Sequence, residues 1–179
     1  MKSRLLPAVL LAIFVFAPVF AGSQAIPAAS STSTSILNAS QAGAIFPATV
    51  YFKGQSAPIQ ARNSAGVRFS KDSLMLAAIV DTSGYSSAVA ERYQAYLLTD
   101  STLDISGHRV APGAYGFGFV AADTFVIMDL GGHELFTART TKDQTLRRPN
   151  PLQILPAPGN DGAYRLYLGR SFIAFTQAR

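Results

Sequence analysis

The stretch RVAPGAYGFGFVAADTFVIMDLGGHELF, from Arg109 to Phe136, decides the fold class of this chain. Because side chains alternate between the two faces of a strand, its first half places Tyr115, Phe117 and Phe119 on one face and glycines on the other. Its second half, residues 124–130, is apolar almost throughout, which is typical of a strand covered on both faces. The stretch therefore predicts a β-hairpin within a β core.

Two glycines in the first strand of this hairpin need a physical reason. Gly116 and Gly118 occupy alternate positions, where a glycine has no side chain to pack and lowers the stability of the strand. We expect the face that they share to be approached closely, either by a neighbouring backbone at a strong bend or by an aromatic ring.

Strand-like runs recur on both sides of this hairpin. They are residues 48–52, 59–61, 67–69, 74–80, 93–98, 103–105, 134–140, 152–155, 163–168 and 172–176, with a turn expected at 62–64. A helix is the alternative at 74–80 and at 87–98, and a strand is favoured in both places. The run at 152–155 lies between prolines and is expected at a sheet edge. About ten short strands predict an all-β fold, either an antiparallel β-sandwich or a small closed β-barrel.

The first 44 residues are expected to lie outside this fold. Residues 1–25 have the features of a signal peptide, with Lys2 and Arg4 before an apolar run that is short for a membrane span. Residues 26–44 are rich in alanine, serine and threonine and are predicted to be a disordered tether. Residues 45–179 then form a single β domain, periplasmic or secreted, with no membrane span after signal cleavage.

The composition excludes several classes of function. The chain has no cysteine, so disulfides, thiolate nucleophiles and cysteine metal ligands are absent. Its formal net charge is +5, of which Lys2 and Arg4 supply two, so that +3 remains after cleavage. The basic residues are mostly scattered rather than gathered on one face, and this, together with export, argues against a nucleic-acid partner.

Several short motifs carry a family resemblance. GHRVAPGAY, from Gly107 to Tyr115, follows the pattern Gly-x-x-Leu-x-x-Gly-x-Tyr with Val110 at the leucine position. YQAYL, YGFGFV, GGHELF, RRPNPLQIL and YRLYLGRSFIAF occur elsewhere in the domain. Together these motifs resemble a family of exported bacterial β-rich proteins of unknown function. The resemblance implies export and a β fold, and it implies no activity.

Three neighbouring residues are candidates for chemistry. Asp129, His133 and Glu134 could ligate a metal or shuttle protons in a hydrolase or a metal-dependent enzyme. The alternative is a loop histidine beside a surface glutamate, because adjacent strand residues point to opposite sides. The patterns H-E-x-x-H and G-x-S-x-G and a phosphate-binding glycine loop are absent. The sequence therefore indicates no catalytic residue and no cofactor.

Two further sets of residues are candidates for ligand binding. Arg147 and Arg148 could grip an anionic ligand, or they could be solvated in a proline-bounded loop. Tyr115, Phe117 and Phe119 could line an apolar pocket, or they could pack across strands in the core. We expect a non-enzymatic binding or interaction module of the cell envelope, with an envelope partner or an apolar or anionic small ligand. The enzyme above and a structural envelope component are the alternatives.

Overall fold

The structure, a computed structural model, describes residues 34–178 of the chain. These residues belong to one compact unit that spans residues 32–179. The predicted signal peptide, residues 1–25, and the first part of the predicted tether, residues 26–33, lie outside the described residues. Between residues 34 and 178, no helix has the length and apolar character needed to cross a membrane.

Strands account for most of the described chain, together with two short helices. In order the elements are β1 (Ser35–Leu37), α1 (Ala39–Ile45), β2 (Thr49–Phe52), β3 (Gln55–Ser70), β4 (Ser73–Val80), α2 (Ser87–Arg92), β5 (Ala95–Thr99), β6 (Leu103–Ile105), β7 (His108–Val110), β8 (Gly113–Val120), β9 (Thr124–Met128), β10 (Glu134–Arg139), β11 (Thr141–Lys142), β12 (Leu152–Pro156), β13 (Ala163–Leu168) and β14 (Ser171–Gln177).

The strands form two antiparallel sheets that pack as a β-sandwich. The first sheet has eight strands in the order β1-β3-β4-β5-β8-β9-β10, and β2 also pairs with β3. The second has six strands in the order β12-β13-β14-β6-β7, and β11 also pairs with β14. Each sheet is open, with an edge strand at either side. The predicted all-β sandwich is therefore confirmed, and the alternative of a closed barrel is wrong.

The space between the sheets holds the main hydrophobic core. Leu97, Phe117 and Ile127 of the first sheet meet Leu166 and Ile173 of the second, and all five are almost fully buried. Burial of a side chain of this size contributes about 1.5–3 kcal/mol relative to exposure. This core gives the chain a hydrophobic source of stability that needs no disulfide.

A second hydrophobic cluster covers the outer face of the eight-stranded sheet. It contains residues of α1, β2 and the segment around α2, together with outward-facing residues of the sheet such as Val126 and Met128 of β9. The residues of β9 that alternate with these, Phe125 and Ile127, point into the core between the sheets. Strand β9 is therefore covered on both faces, as its nearly continuous apolar sequence predicts.

The chain between β2 and β4 differs from the prediction. The sequence predicts two short strands around a turn at 62–64, whereas the structure has one strand, β3, of 16 residues. Residue Ile59 of β3 lies opposite Val80 and Ser64 lies opposite Ala78, so extra residues of β3 are looped out between these two pairs. The predicted turn is therefore a bulge inside a continuous strand.

The two segments with helix and strand alternatives have different outcomes. Residues 74–80 form a strand, as predicted, within β4. Residues 87–98 contain both elements, because α2 ends at Arg92 and β5 begins at Ala95. Tyr93 follows the helix as its C-cap, and its backbone N–H donates to the carbonyl of Val89. The predicted strand thus begins two residues later than expected, after the six residues of α2.

Residues 34–44 are ordered, in contrast to the predicted tether. Strand β1 pairs with β3, and α1 packs on the outer face of the first sheet, where Ala42 is fully buried. A capping box begins α1: the Asn38 side chain accepts the Gln41 N–H, and the Gln41 side chain accepts the Asn38 N–H. Packing against distant strands therefore orders a segment whose local composition suggests disorder.

Candidate functional site

The aromatic ladder of β8 packs in the core between the sheets. Phe117 is fully buried there, and the half-buried Tyr115 and Phe119 pack against the same cluster. The ring centroid of Phe125, on the neighbouring strand, lies 5.8 Å from that of Phe117 and 5.5 Å from that of Phe119. Of the two interpretations of the ladder, this geometry favours cross-strand packing.

The loop between β9 and β10 brings Asp129 and His133 together. The Asp129 carboxylate accepts a hydrogen bond from the His133 backbone N–H at 2.9 Å, and it lies 3.0 Å from His133 Nδ1. The loop is tight, since a Cβ atom at Gly131 would lie 3.0 Å from the imidazole ring. The His133 side chain is 82% exposed. The two residues thus close a hairpin loop at the surface.

Glu134 does not join this pair. Its carboxylate forms an ion pair with Arg92 at the end of α2. Among residues 34–178, no three His, Cys, Asp or Glu side chains are placed to hold a metal ion together. Asp129 and His133 therefore offer two exposed ligands, which is fewer than the three or four protein ligands of catalytic and structural zinc sites.

We expect the Asp129–His133 contact to stabilise the fold only where Asp129 is ionised. The hydrogen bond from the His133 backbone N–H holds the pKa of the Asp129 carboxyl below its ordinary value of 3.8. The contribution is complete above that ordinary value and is lost as pH falls through the lower folded-state pKa. Urea unfolding of the parent and of Asp129→Asn should therefore differ more at pH ~6 than at pH ~2.5. A difference that stays constant with pH would contradict this.

Arg147 and Arg148 lie exposed in the loop that joins β11 to β12. The Arg170 guanidinium holds the backbone of this loop, because it donates to the carbonyl of Leu146 and, at 3.4 Å, to that of Arg147. Arg170 thus holds the main chain of the loop, while the side chains of Arg147 and Arg148 face solvent. It ends at Asn150, where the wall of a groove begins.

The two lateral seams of the sandwich differ from each other. At one seam β7 of the second sheet meets β10 of the first, and the His108 ring stacks on Phe136 with ring centroids 4.2 Å apart. At the other seam β12 lies against β3, and a groove of about 340 Å³ is lined by residues of β12, the bulge of β3 and the segment around β1. One seam is therefore closed by an aromatic stack, whereas the other, the open seam, carries the groove.

The walls of this groove come from three segments that are distant in sequence. They are residues 36–39, residues 62–65 and residues 150–155. The lining residues include apolar ones, such as Leu37 and Leu152, and the three asparagines Asn38, Asn63 and Asn150. The groove is thus of mixed character, with more polar residues than the mostly apolar clefts that usually bind small ligands.

Backbone groups of β12 point into the open seam. The Gly169 N–H donates to the Pro151 carbonyl, and the Ala157 N–H donates to the Ala163 carbonyl, both at 2.9 Å. Because partners alternate along an antiparallel ladder, odd-numbered residues of β12 bond to β13 and even-numbered residues face away. The even-numbered residues are 152, 154 and 156. Among residues 34–178, we find no hydrogen-bond partner for the outward backbone groups of the first two.

Known proteins offer no relative of this chain at the level of sequence or structure. No family model, curated protein or solved structure matches the chain. The resemblance to exported bacterial β-rich proteins therefore stays a prediction.

Sequence reasoning located one wall of the groove and missed the other. The prolines on both sides of residues 152–155 predict a sheet edge, and β12 is the edge strand of the second sheet. The opposite wall comes from residues that the sequence assigns to a tether and to a turn. The Asn-x-x-Gln spacing of Asn38 and Gln41 was the available signal for order in the first of these segments.

A larger and more polar cleft, of about 500 Å³, opens at one end of the sandwich. Asp104, Arg109 and Asp161 supply charges of both signs to its lining. Asp104 is engaged within the fold, because its carboxylate accepts the Gly107 N–H at 2.7 Å. Two lining residues, Thr34 and Ala178, are the first and last described residues of the chain. The groove, in contrast, is lined entirely by residues with described neighbours on both sides.

Proposed function

We propose that this chain is an exported, non-enzymatic binding module that accepts a short extended polypeptide segment in the groove beside β12. The observation that carries the proposal is the backbone of Leu152 and Ile154, which faces the groove without a partner among residues 34–178. Buried backbone groups in proteins are almost always paired, with protein, water or a ligand. An extended peptide presents N–H and C=O groups at the spacing of a strand, so it can pair with both residues.

The geometry favours insertion into the groove over addition to a flat edge. Leu152 and Ile154 are each 3% exposed and β12 packs against β3, so these two strands must separate before a partner can pair with this backbone. Prolines at 149, 151 and 156 bracket the strand, and Pro156 has no N–H to offer. Short edge strands with prolines resist uncontrolled pairing. The partner is therefore a short segment rather than a long strand.

The enzyme alternative has less support in the geometry. It relies on Asp129, His133 and Glu134 acting together, yet Glu134 is paired with Arg92 and the His133 side chain lies in solvent. A general base or a metal ligand works best in a concave site with a suitable neighbour. The third hypothesis, a structural envelope component, would use the same open seam to bind a second copy, with self-association as its signature.

Selection from a random peptide library, of about ten residues per peptide, tests the proposal because strand pairing needs only a few residues. We expect selected peptides to shift the amide NMR signals of Leu152 and Ile154 and to slow their hydrogen exchange. Methylation of alternate backbone nitrogens in a selected peptide should abolish binding. Selected peptides that leave both amide signals unchanged, or the absence of any selected peptide, would contradict the proposal.

A blocked groove should lose peptide binding. The chain has no cysteine, so Asn63→Cys can be labelled at one place with a bulky maleimide. Asn63 lines the groove, and the label should exclude the selected peptides. Thr137→Cys on β10 is the matched control, because Thr137 is exposed on the edge strand at the closed seam. Equal loss of binding in both labelled variants would contradict the assignment to the groove.

A further inference from the structure

The groove walls carry charge of one sign. Among the lining residues 36–39, 62–65 and 150–155, Arg62 is the single ionisable residue, and the polar remainder are asparagine, serine and glutamine. No carboxylate is among these described lining residues. A second cation, the exposed Arg148, lies two residues before the start of the third wall segment. The groove therefore presents positive charge to whatever enters it, while the amides of Asn38, Asn63 and Asn150 are engaged within the fold.

Arg62 has no partner within the described chain. It is exposed, and none of the ion pairs between residues 34 and 178 includes it. By contrast, Arg92 is paired with Glu134, and Arg165 lies 3.9 Å from the Asp143 carboxylate. The guanidinium of Arg62 is thus available to an incoming carboxylate, which it can bind through two parallel hydrogen bonds.

The position of Arg62 is set by the bulge of β3. Between residues 59 and 64 this strand has more residues than the facing part of β4, so Arg62 lies in the looped-out segment. The Ser64 hydroxyl donates to the Ala61 carbonyl at 2.6 Å, and the Asn63 amide donates to the Gln60 side chain at 2.7 Å. These bonds fix the bulge on both sides of Arg62 before any partner binds, which reduces the entropy lost on binding.

From these observations we infer that the polypeptide segment bound in the groove carries an acidic side chain that pairs with Arg62. The inference rests on the proposed function and adds the chemistry of the partner to it. Backbone pairing with Leu152 and Ile154 supplies sequence-independent affinity, whereas side-chain pockets and charges supply specificity. Arg62 is the charged residue of the groove, so an acidic residue in the partner is the feature that it selects.

Three capped peptides of about seven residues test this, because strand pairing needs only a few residues. One alternates valine with glutamate, the second valine with glutamine, and the third valine with lysine. The glutamate peptide should bind about fivefold tighter than the glutamine peptide at low salt, as expected for one partly exposed ion pair. The lysine peptide should bind weakest. The preference should shrink at about 0.5 M salt, where exposed charges are screened.

Variants of the chain assign the preference to one residue. Arg62→Gln should bind the glutamate and glutamine peptides equally, and Arg62→Glu should prefer the lysine peptide. Arg139→Gln, on β10 at the other seam, is the matched control and should keep the parent preference. A preference that disappears in Arg148→Gln but persists in Arg62→Gln would overturn the assignment to Arg62.

The outcomes separate this inference from the proposed function. Equal binding of all three peptides, with shifted amide signals at Leu152 and Ile154, would overturn the acidic preference and leave the binding module intact. Binding of none of the three, with unshifted signals, would count against both. Inorganic phosphate at millimolar concentration, at constant ionic strength, is the last control. If it removes the preference for the glutamate peptide, Arg62 binds free anions, and the assignment to a peptide is overturned.

Discussion

Replacing Gly118 by valine is expected to lower the free energy of unfolding by about 3 kcal/mol, at the upper end of the usual cost of overpacking. A Cβ atom at this position would lie 2.3 Å from the backbone oxygen of Arg92 and 2.9 Å from its carbonyl carbon. Side chains in folded proteins do not approach a backbone this closely, so either β8 or the end of α2 must move to admit the valine.

Neither element can move without losing hydrogen bonds. The Gln94 backbone N–H donates to the Phe117 carbonyl at 3.0 Å. The Gln94 side chain continues the pairing, because its oxygen accepts the Phe119 N–H at 3.0 Å and its nitrogen donates to the Phe119 carbonyl at 3.2 Å. Strand β5 does not extend far enough to pair with Phe119, so the side-chain amide of Gln94 takes the place of a backbone partner there. Displacement of the Arg92–Gln94 segment would leave these groups of β8 unpaired.

Urea unfolding of Gly118→Val, beside Gly116→Val and Gly84→Ala, measures this effect. A Cβ at Gly116 would meet ring atoms of Phe52 at 2.5 Å and of Tyr93 at 2.8 Å, so we expect a smaller loss there, since side chains yield more easily than backbone. Gly84 has no atom closer than 3.8 Å to such a Cβ, and its variant should stay within about 0.5 kcal/mol of the parent. A Gly118→Val variant as stable as the parent would show that this face of β8 is open.

The central hairpin was predictable because local sequence determines it. Alternation along β8 assigns Phe117 to the core, and the expected close approach to the two glycines is confirmed in both of its forms. A backbone lies against Gly118, and aromatic rings lie against Gly116. The turn between β8 and β9 places Ala122 and Asp123 at positive φ, 60° and 52°, without any glycine. Its position was predictable, although this conformation was not.

Composition was a poor guide to residues 34–44 because their order comes from distant partners. Leu37 is 6% exposed and Ala42 is fully buried, and both belong to the cluster on the outer face of the first sheet. A segment of small polar residues offers little apolar surface of its own. It becomes ordered here because β1 forms an edge of the first sheet and α1 covers apolar positions on β3 and β4 that would otherwise be exposed.

The candidate site was beyond sequence reasoning for a topological reason. Its walls bring residues 36–39 and 62–65 next to residues 150–155, and this meeting depends on which edges of the two sheets lie together. Strand periodicity specifies faces within a sheet, but it does not specify which edge strands meet across a sandwich. The residues that were singled out by their chemistry, Asp129 and His133, instead close a surface loop.

The second large effect is expected at Phe117, whose replacement by alanine should lower the free energy of unfolding by about 3–5 kcal/mol. Phe117 is exposed neither to solvent nor to the groove. It is buried between the sheets, and its strand neighbours are Ala95 on one side and Ile127 on the other. Truncation removes buried apolar surface and leaves a cavity that a rigid, two-sheet core closes only in part.

Comparison with Phe119→Ala and Leu135→Ala separates core packing from a ligand pocket as the role of the ladder. Phe119 is half-buried, so its replacement by alanine should lower the free energy of unfolding less than that of Phe117. Leu135 is 49% exposed, and its replacement should change the free energy of unfolding by no more than about 0.5 kcal/mol. Benzene should raise the stability of Phe117→Ala more than that of the parent, because an apolar cavity of this kind stays dry and accepts a small apolar molecule. If Phe117 lined an open pocket, its ring would already face solvent in the parent. Its replacement by alanine would then lower the free energy of unfolding by less than about 1 kcal/mol.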